Sequence, residues 1–599
     1  MEYDLSPQER QKYIAARGKI VVTACPGSGK TTSIVYKLRQ LHEEQSKINK
    51  HAGVLCLSFT NKAVDEIKDA YYQMHGCYIS YPHDVMTIDS FLTQNILFPF
   101  WYKFSLCKTA PIIVNDKEVL HSILWHQSAK GSKEVCKIRG YGQIVYTIKP
   151  EDISFCQGKY YHETHLLSTE NYQYAQKVIE YRLEHGYLTS SDALMVSLWI
   201  LRTYPIIAKS IVERYPYIII DEAQDTSFDQ YCLLGELLKA GLDNVELVGD
   251  VNQSIYEWRF ADPKLLEKVT QKEDWTHIPF THNRRSVQRI IDFYSRLVPQ
   301  ARRMSIISTG VTDLNIPILI YRYSTLNGRE IIADFEQKCK NNHLKQWLIL
   351  TRGHSLGRIL SDTTEIPDYW KSKIPYIILK SQQEFYYGKV SAAVQLLAFV
   401  YGMLVYGEAL CKETRALVKE VMADADMSTK LINMLLRMPD FTETFKSWTE
   451  KMPLFLKTEL NLEKQPLFEV YARKKKFDVN VVAKTKLSKF FDDVKDDKAH
   501  GRVVQTIHSS KGASTDAVLL FLSKDNSGHQ ISLNLFDKID AMTEKHRLLY
   551  VACSRARQFL ALAIPQDYPT SKLQRLLKGV AYEEYTPGEM SLFSERFSI

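Results

Sequence analysis

None of the ten cysteines forms a CxxC pair; they stand singly at 25, 56, 77, 107, 136, 156, 232, 339, 411 and 553. Neither a zinc ribbon nor an iron–sulfur cluster is signalled. The scatter fits reduced thiols in a cytoplasmic protein. His162 and His165, with Cys156 nearby, lack the fourth ligand and the spacing of a zinc site. The chain has no internal repeat and no low-complexity tract. Its first residues, Met1-Glu2-Tyr3-Asp4, are acidic where a secretory leader is basic and then apolar. Charge of one sign is scarce too. Lys and Arg number 77 against 69 Asp and Glu, which leaves +8 over 599 residues. That excess permits a nucleic-acid partner without requiring one. The long uncharged run, Val390 to Gly407, is broken by Gln395, Gly402 and Gly407 and lacks flanking basic and aromatic belts. It reads as a buried helix, and no membrane contact is expected.

With 45% hydrophobic and 24% charged residues the composition is that of a globular protein. At about 150 residues per domain, length alone suggests about four domains. The first chemical signal is a β-branched run, Lys19 to Thr23, followed by Ala24-Cys25-Pro26-Gly27-Ser28-Gly29-Lys30-Thr31-Thr32 and a helical pattern. A strand, a Gly-rich turn and a helix make a phosphate-binding loop. Its amides face phosphate oxygens, Lys30 reaches the β/γ-phosphates, and the Thr31 hydroxyl is placed for Mg2+. The second is Tyr217 to Ile220 ending in Asp221-Glu222-Ala223-Gln224-Asp225. Of this acid pair, Asp221 suits the metal ion and Glu222 suits activation of the attacking water. The third is Val248 to Arg259, with Gln253 in reach of a γ-phosphate and Tyr256 and Trp258 able to stack on bases.

These strings, in their order, resemble the UvrD/Rep/PcrA group of superfamily 1A DNA helicases. Further matches are Leu57 to Ala63, Thr87 to Phe91, Asn283-Arg284-Arg285-Ser286, Leu350-Thr351-Arg352, Thr506 to Gly512, and Glu544 to Arg557. The resemblance implies an α/β fold with two RecA-like parallel-sheet cores, 1A and 2A, each interrupted by a mainly helical insertion, 1B and 2B. The expected division is 1–91 and 188–281 for core 1A around insertion 92–187, then 282–388 and 498–599 for core 2A around insertion 389–497. It also implies ATP and Mg2+ as cofactors, and 3′→5′ movement on single-stranded or 3′-tailed DNA. Arg285 and Arg555 would contact the γ-phosphate across the cleft. Phe59, Thr60, Asn61, Tyr256, Trp258, Arg259, Arg352 and His508 would touch DNA, and Gly512 would line the nucleotide site.

Four positions depart from that family's pattern. Glu9 stands where an adenine-reading Gln is expected, which leaves Gln8 or Gln11 for that task. Arg284 replaces an aromatic, Ser514 a ribose-contacting Glu, and Asp89 a common His. The run Arg473 to Lys476 is a candidate phosphate-backbone contact. Only Gln566 to Ile599 follow the last motif, too few for a fused nuclease domain. The chain is in this respect similar to the helicase partner in Gabija-type anti-phage systems, so a separate nuclease subunit is a second expectation.

Overall fold

The computed structural model describes residues 7–104, 111–113, 144–146, 153–155, 186–188, 190–256, 261–324, 327–353, 356–357, 360, 369–386, 388–407, 412–473, 478–490, 504–522, 531–537, 539 and 541–585. Of the calls above, Trp258, Arg259, Lys474 to Lys476, Cys156, His162 and His165 lie outside the described residues.

Two all-parallel sheets of six strands organise one compact unit, which takes in 1–91, 204–361 and 497–599. The first is built from β1 (Lys19–Ala24), β2 (Val54–Ser58), β3 (Asp84–Thr87), β4 (Tyr217–Asp221), β5 (Asn244–Gly249) and β6 (Thr276–Phe280). Its order is β6-β1-β5-β4-β2-β3. The three strands that carry the sequence signals are thus adjacent, with Thr23 beside Gly249 and Val248 beside Asp221. Their carboxyl ends open on one edge, where parallel α/β sheets place their ligands.

The second sheet holds β7 (Ile318–Tyr323), β8 (Trp347–Thr351), β9 (Val504–Thr506), β10 (Thr515–Phe521), β11 (Ala556–Pro565) and β12 (Tyr582–Tyr585), in the order β9-β8-β10-β11-β7-β12. Burial on both faces explains its continuous apolar strands. Ile318, Ile320, Val518, Leu520, Leu560 and Leu562 enter one core cluster. Their alternates Leu319, Tyr321, Ala517, Leu519, Phe559 and Ala561 enter another.

The other unit comprises 92–203 and 362–496. Its core surrounds Trp448, Trp370 and Phe445, and the uncharged run forms the buried helix Val390–Tyr406. Gly402 is required there, since a methyl group would lie 2.5 Å from Thr414 Cγ2. Among the described residues no single helix is long and apolar enough to cross a membrane. The expected boundaries at 188 and 388 shift. Helix Ser190–Thr203 belongs with the first insertion, where Trp199 packs 5.2 Å from Phe104. Helix Ile374–Tyr386 belongs with the second, its Ser381 Oγ donating to Ala393 O at 2.7 Å.

A buried ion pair ties the first core together. Helices α1 (Gln8–Ala15) and α2 (Lys30–Ile48) pack beside the sheet, and Lys37 of α2 meets Glu246 of β5 at 2.5 Å with neither side chain exposed. Tyr217 of β4 donates to the same carboxylate. Lys37 also donates to Tyr13 O of α1 at 2.8 Å and lies 4.3 Å from the Tyr13 ring centre. Removing one partner strands the other charge, so Lys37→Met should cost about 3–5 kcal/mol, and Lys37→Met with Glu246→Leu considerably less. Midpoints of chemical unfolding measure both; equal losses in the single and double variants would count against the pairing.

Farther along α2, the His42 ring stacks on His83, centroids 3.8 Å apart, with Nδ1 3.1 Å from Tyr71 Oη. Burial, then the His83 charge, push His42 down to about 3. The unfolded chain takes up a proton near pH 6.5 while the folded chain does not. Stability from the neutral ring is therefore complete above pH 6.5 and is lost as pH falls toward 3. Between pH 6.5 and 5 the loss should approach about 2 kcal/mol. His42→Phe should flatten the fall of melting temperature with pH over that interval.

Candidate nucleotide and nucleic-acid site

A loop that turns its N–H groups toward one point turns its carbonyls away, and each carbonyl then needs a donor of its own. In residues 25–29 all five carbonyls find one. Ser28 N–H reaches Cys25 O at 3.3 Å, and Asn283 Nδ2 reaches Pro26 O at 2.6 Å. Arg284 N–H reaches Gly27 O at 2.8 Å, and Arg10 Nη2 reaches Ser28 O at 2.7 Å. Gly29 O takes both Ser33 N–H and Ser33 Oγ at 2.9 Å. Gly27 and Gly29 have φ of 68° and 80°, left-handed conformations that favour glycine. A methyl group on Gly27 would also fall 2.5 Å from Arg285 Cβ. Ala24, Cys25, Pro26 and Ser28 are buried, Lys30 and Thr31 half-buried at the start of α2, and Thr32 exposed.

The acids cluster at the ends of β4 and β5. Glu222 adopts a left-handed φ of 54°. Burial raises Asp221, and the adjacent Glu222 charge raises it further. Burial acts on Glu222 in the same sense, but Lys30, Lys511, the bond from Gln224 and Arg555 outweigh it and hold that group low. Asp221 Oδ1 is buried with no hydrogen-bond partner. A polar chain leads onward: Gln224 Nε2 donates to Glu222, Gln224 Oε1 accepts from Asp250 N–H at 3.0 Å, and Gln253 Nε2 donates to Asp250 Oδ2 at 2.7 Å.

Side chains that precede and follow the second sheet's strands complete the ring. Arg555 Nη2 donates to Gln253 Oε1 at 2.7 Å. Lys511 pairs with Asp225, lies 4.0 Å from Glu222 Oε2, and donates to Gln253 O at 3.0 Å. Arg547 Nε donates to Ser254 O at 2.6 Å, and His508 Nε2 is 3.1 Å from Ile255 O. Three consecutive carbonyls, 253 to 255, are thus held by three side chains from the second core. Arg285 Nη1 reaches Ser554 O at 3.2 Å. Burial lowers both Arg285 and Arg555, and the Arg285 charge helps bring Arg555 down to about 9. A buried Arg555 whose charge is disfavoured by the neighbouring Arg285 is suited, with it, to a polyanion.

Of the expected DNA contacts, Phe59, Tyr256, His508 and Arg352 come together. The Phe59 and Tyr256 rings are 5.1 Å apart, and His508 lies 6.1 Å beyond Tyr256. Arg352 Nη1 approaches His508 Nδ1 at 3.4 Å, and Lys511 Nζ is 4.8 Å from the Tyr256 ring. Burial, then Arg352, push His508 down to about 4, so the ring is neutral at neutral pH. Thr60 caps helix Asn61–His75 by accepting from Ala63 N–H at 3.2 Å, and Asn61 is exposed.

Of the expected nucleotide contacts, Gln8 and Gln11 stand at exposed positions of α1. Glu9 between them is taken up by Thr281 N–H, Thr281 Oγ1 and His282 N–H at 2.9–3.2 Å. Gly512, with φ of 86°, faces the Glu66 carboxylate, 3.5 Å from where a methyl group would lie. Ser514 Oγ accepts from Arg557 Nε at 3.1 Å. Arg10, Asn283, Lys511 and Arg547 were not singled out from the sequence. The last three lie inside recognisable strings, whereas nothing local marks Arg10.

Two α/β cores that share an edge beginning in a phosphate loop define a class, the P-loop nucleoside triphosphatases with paired cores. Comparison with known families is more specific. Residues 5–274 match the UvrD/REP helicase N-terminal domain and residues 461–566 the UvrD-like helicase C-terminal domain. The chain belongs to the UvrD-like family of superfamily 1 ATP-dependent DNA helicases. It is 24% identical to YjcD of Bacillus subtilis, over 94% of this chain and 79% of that one. It is 21% identical to DNA helicase II of Haemophilus influenzae, over 94% and 84%, and 21% identical to ATP-dependent DNA helicase PcrA of Staphylococcus aureus, over 96% and 84%.

Replacing Arg10 by Met should leave the Ser28 carbonyl buried without its donor and lower stability by about 1–3 kcal/mol. Thermal unfolding of the variant against wild type measures it; an unchanged melting temperature would remove Arg10 from the loop's support.

Proposed function

We propose that this chain hydrolyses ATP between its two cores to move 3′→5′ along single-stranded DNA and to separate duplex ahead of it. One observation carries the reading. Arg555 and Lys511 of the second core bond residues in the acid ring around the loop of the first, so a phosphate in that loop would bridge both cores. In phosphoryl transfer negative charge spreads over the γ-phosphate oxygens, and fixed cations stabilise it. Lys30, Arg285 and Arg555 are the cations of this site. Glu222, held ionised by its neighbours, accepts the proton of the attacking water. Gln253 joins Arg555 to Asp250 and so links the γ-phosphate position to the end of β5. The partnerless Asp221 oxygen and the Thr31 hydroxyl fit a hard divalent cation, so these two residues would hold Mg2+, which neutralises phosphate charge.

For DNA, Phe59, Tyr256 and His508 offer ring faces to bases, each stack contributing roughly 1–3 kcal/mol. Arg352 and Lys511 border those rings. Asn61 is exposed on the neighbouring helix, and Trp258 and Arg259 extend the same segment in sequence. Closure of the cores on ATP and release after hydrolysis would then step the rings along the strand.

Hydrolysis with and without single-stranded DNA is the direct test; an unstimulated rate would falsify the reading. Glu222→Gln should lower kcat by roughly 10²–10⁴-fold while nucleotide binding persists. Lys30→Ala should abolish binding and turnover together. Duplexes with a 3′ or a 5′ tail report direction, and matched RNA and DNA strands report the track. Displacement by the isolated chain separates this motor from an ATPase that works only through a separate nuclease subunit.

A further inference from the structure

The segment Asn283 to Val287 is bonded on two sides. Toward the phosphate loop, Asn283 Nδ2 donates to Pro26 O at 2.6 Å and to Tyr294 Oη at 3.0 Å. The other end of the same carboxamide, Oδ1, accepts from Arg285 N–H at 2.7 Å and from Ser286 N–H at 2.9 Å. Asn283 is fully buried. Gly27 packs so closely that a methyl group on it would lie 2.9 Å from Asn283 Oδ1. Toward the second core, Ser286 Oγ donates to Ala556 O at 2.6 Å, and Val287 N–H to Arg557 O at 2.9 Å. These carbonyls belong to the two residues that follow Arg555, at the start of β11. Arg285 is therefore joined to the phosphate loop through its own backbone, and Arg555 lies one hydrogen-bonded step beyond.

We propose that Asn283 is the interlock that transmits occupancy of the phosphate loop to the second core, a positioning residue that need not touch the nucleotide. A carboxamide presents a donor and an acceptor on one rigid plane. A displacement of Pro26 O as phosphate enters the loop turns that plane, and with it the backbone that holds Arg285 and Ser286. Aspartate keeps the acceptor and loses the donor. Serine keeps a short acceptor and lacks the reach to Pro26. Both variants therefore cut the link to Pro26 while leaving an acceptor for the Arg285 and Ser286 amides.

The inference rests on the proposed ATP-driven cycle on DNA. The experiment measures the affinity of a labelled single-stranded oligonucleotide by fluorescence anisotropy, with and without a non-hydrolysable ATP analogue. For wild type the two affinities should differ by a factor in the usual range of coupled sites, about 5–150-fold. In Asn283→Asp and in Asn283→Ser, measured at analogue concentrations that saturate each variant, that factor should collapse to within about two-fold of unity, with nucleotide-free DNA affinity unchanged. Tyr294→Phe, which spares the Pro26 bond, should keep the wild-type factor. A wild-type factor in Asn283→Ser overturns the interlock, as does loss of nucleotide-free DNA affinity in parallel with the factor. If wild type itself shows neither coupling nor DNA-stimulated hydrolysis, the proposed cycle fails and the interlock with it. Should Asn283→Asp not fold, the serine variant alone decides.

Discussion

A peptide loop can aim its amides at one anion only if its carbonyls are satisfied elsewhere, and much of the site follows from that constraint. Apart from Ser28 N–H, which the loop supplies itself, the donors come from α1, from the segment after β6, and from the loop's own helix. Each is bound by its own core contacts, so the loop's shape is held from three directions. The glycines at 27 and 29 are the local part of the solution, because only they take the required backbone turns without a side chain in the way. The rest is long-range: Arg10 lies 18 residues from Ser28, and Asn283 lies 257 from Pro26.

Charge obeys the same economy. Asp221, Glu222, Asp225 and Asp250 are gathered at two strand ends, where burial alone would drive each toward its neutral form. Lys30 counters all four, and Lys511 adds to it at Glu222 and Asp225. The arginines face the opposite problem. Arg555 is buried beside Arg285, and Gln253 gives it a neutral acceptor where a polyanion would give it charges. Glu222 alone of the four is held low, so Asp221 is left for a cation and the guanidinium groups for an anion to match. That arrangement suits a phosphate that arrives together with a divalent cation.

Much of this was legible in the sequence because the chemistry is local. Strand, Gly-rich turn and helix are contiguous at 19–48, the acid pair follows a five-residue buried strand, and the uncharged run at 390–407 reads correctly as a core helix. What escaped depended on distant partners. Ser190–Thr203 continues the apolar pattern around it, so nothing in its own residues assigns it to the insertion rather than the core; Phe104 does. Gln8 and Gln11, the candidates for a base-reading amide, stand at exposed positions of α1, while Arg10 of the same helix supports the loop. Arg10 has no local signature, since a lone arginine on a short helix is usually a surface charge.

The chain path through the compact unit has a kinetic meaning. Three separated stretches build it, and the first sheet places its sixth strand, Thr276–Phe280, directly against its first, Lys19–Ala24. During synthesis β1 must therefore wait, apolar and unpaired on that side, while the whole first insertion is made. The second sheet waits longer still, since β7 pairs with β11 and β12 across the second insertion. Contacts of such sequence separation form slowly and leave strand edges exposed meanwhile. Each interruption thus sets how long a strand edge of its sheet stays open before its partner strand is made.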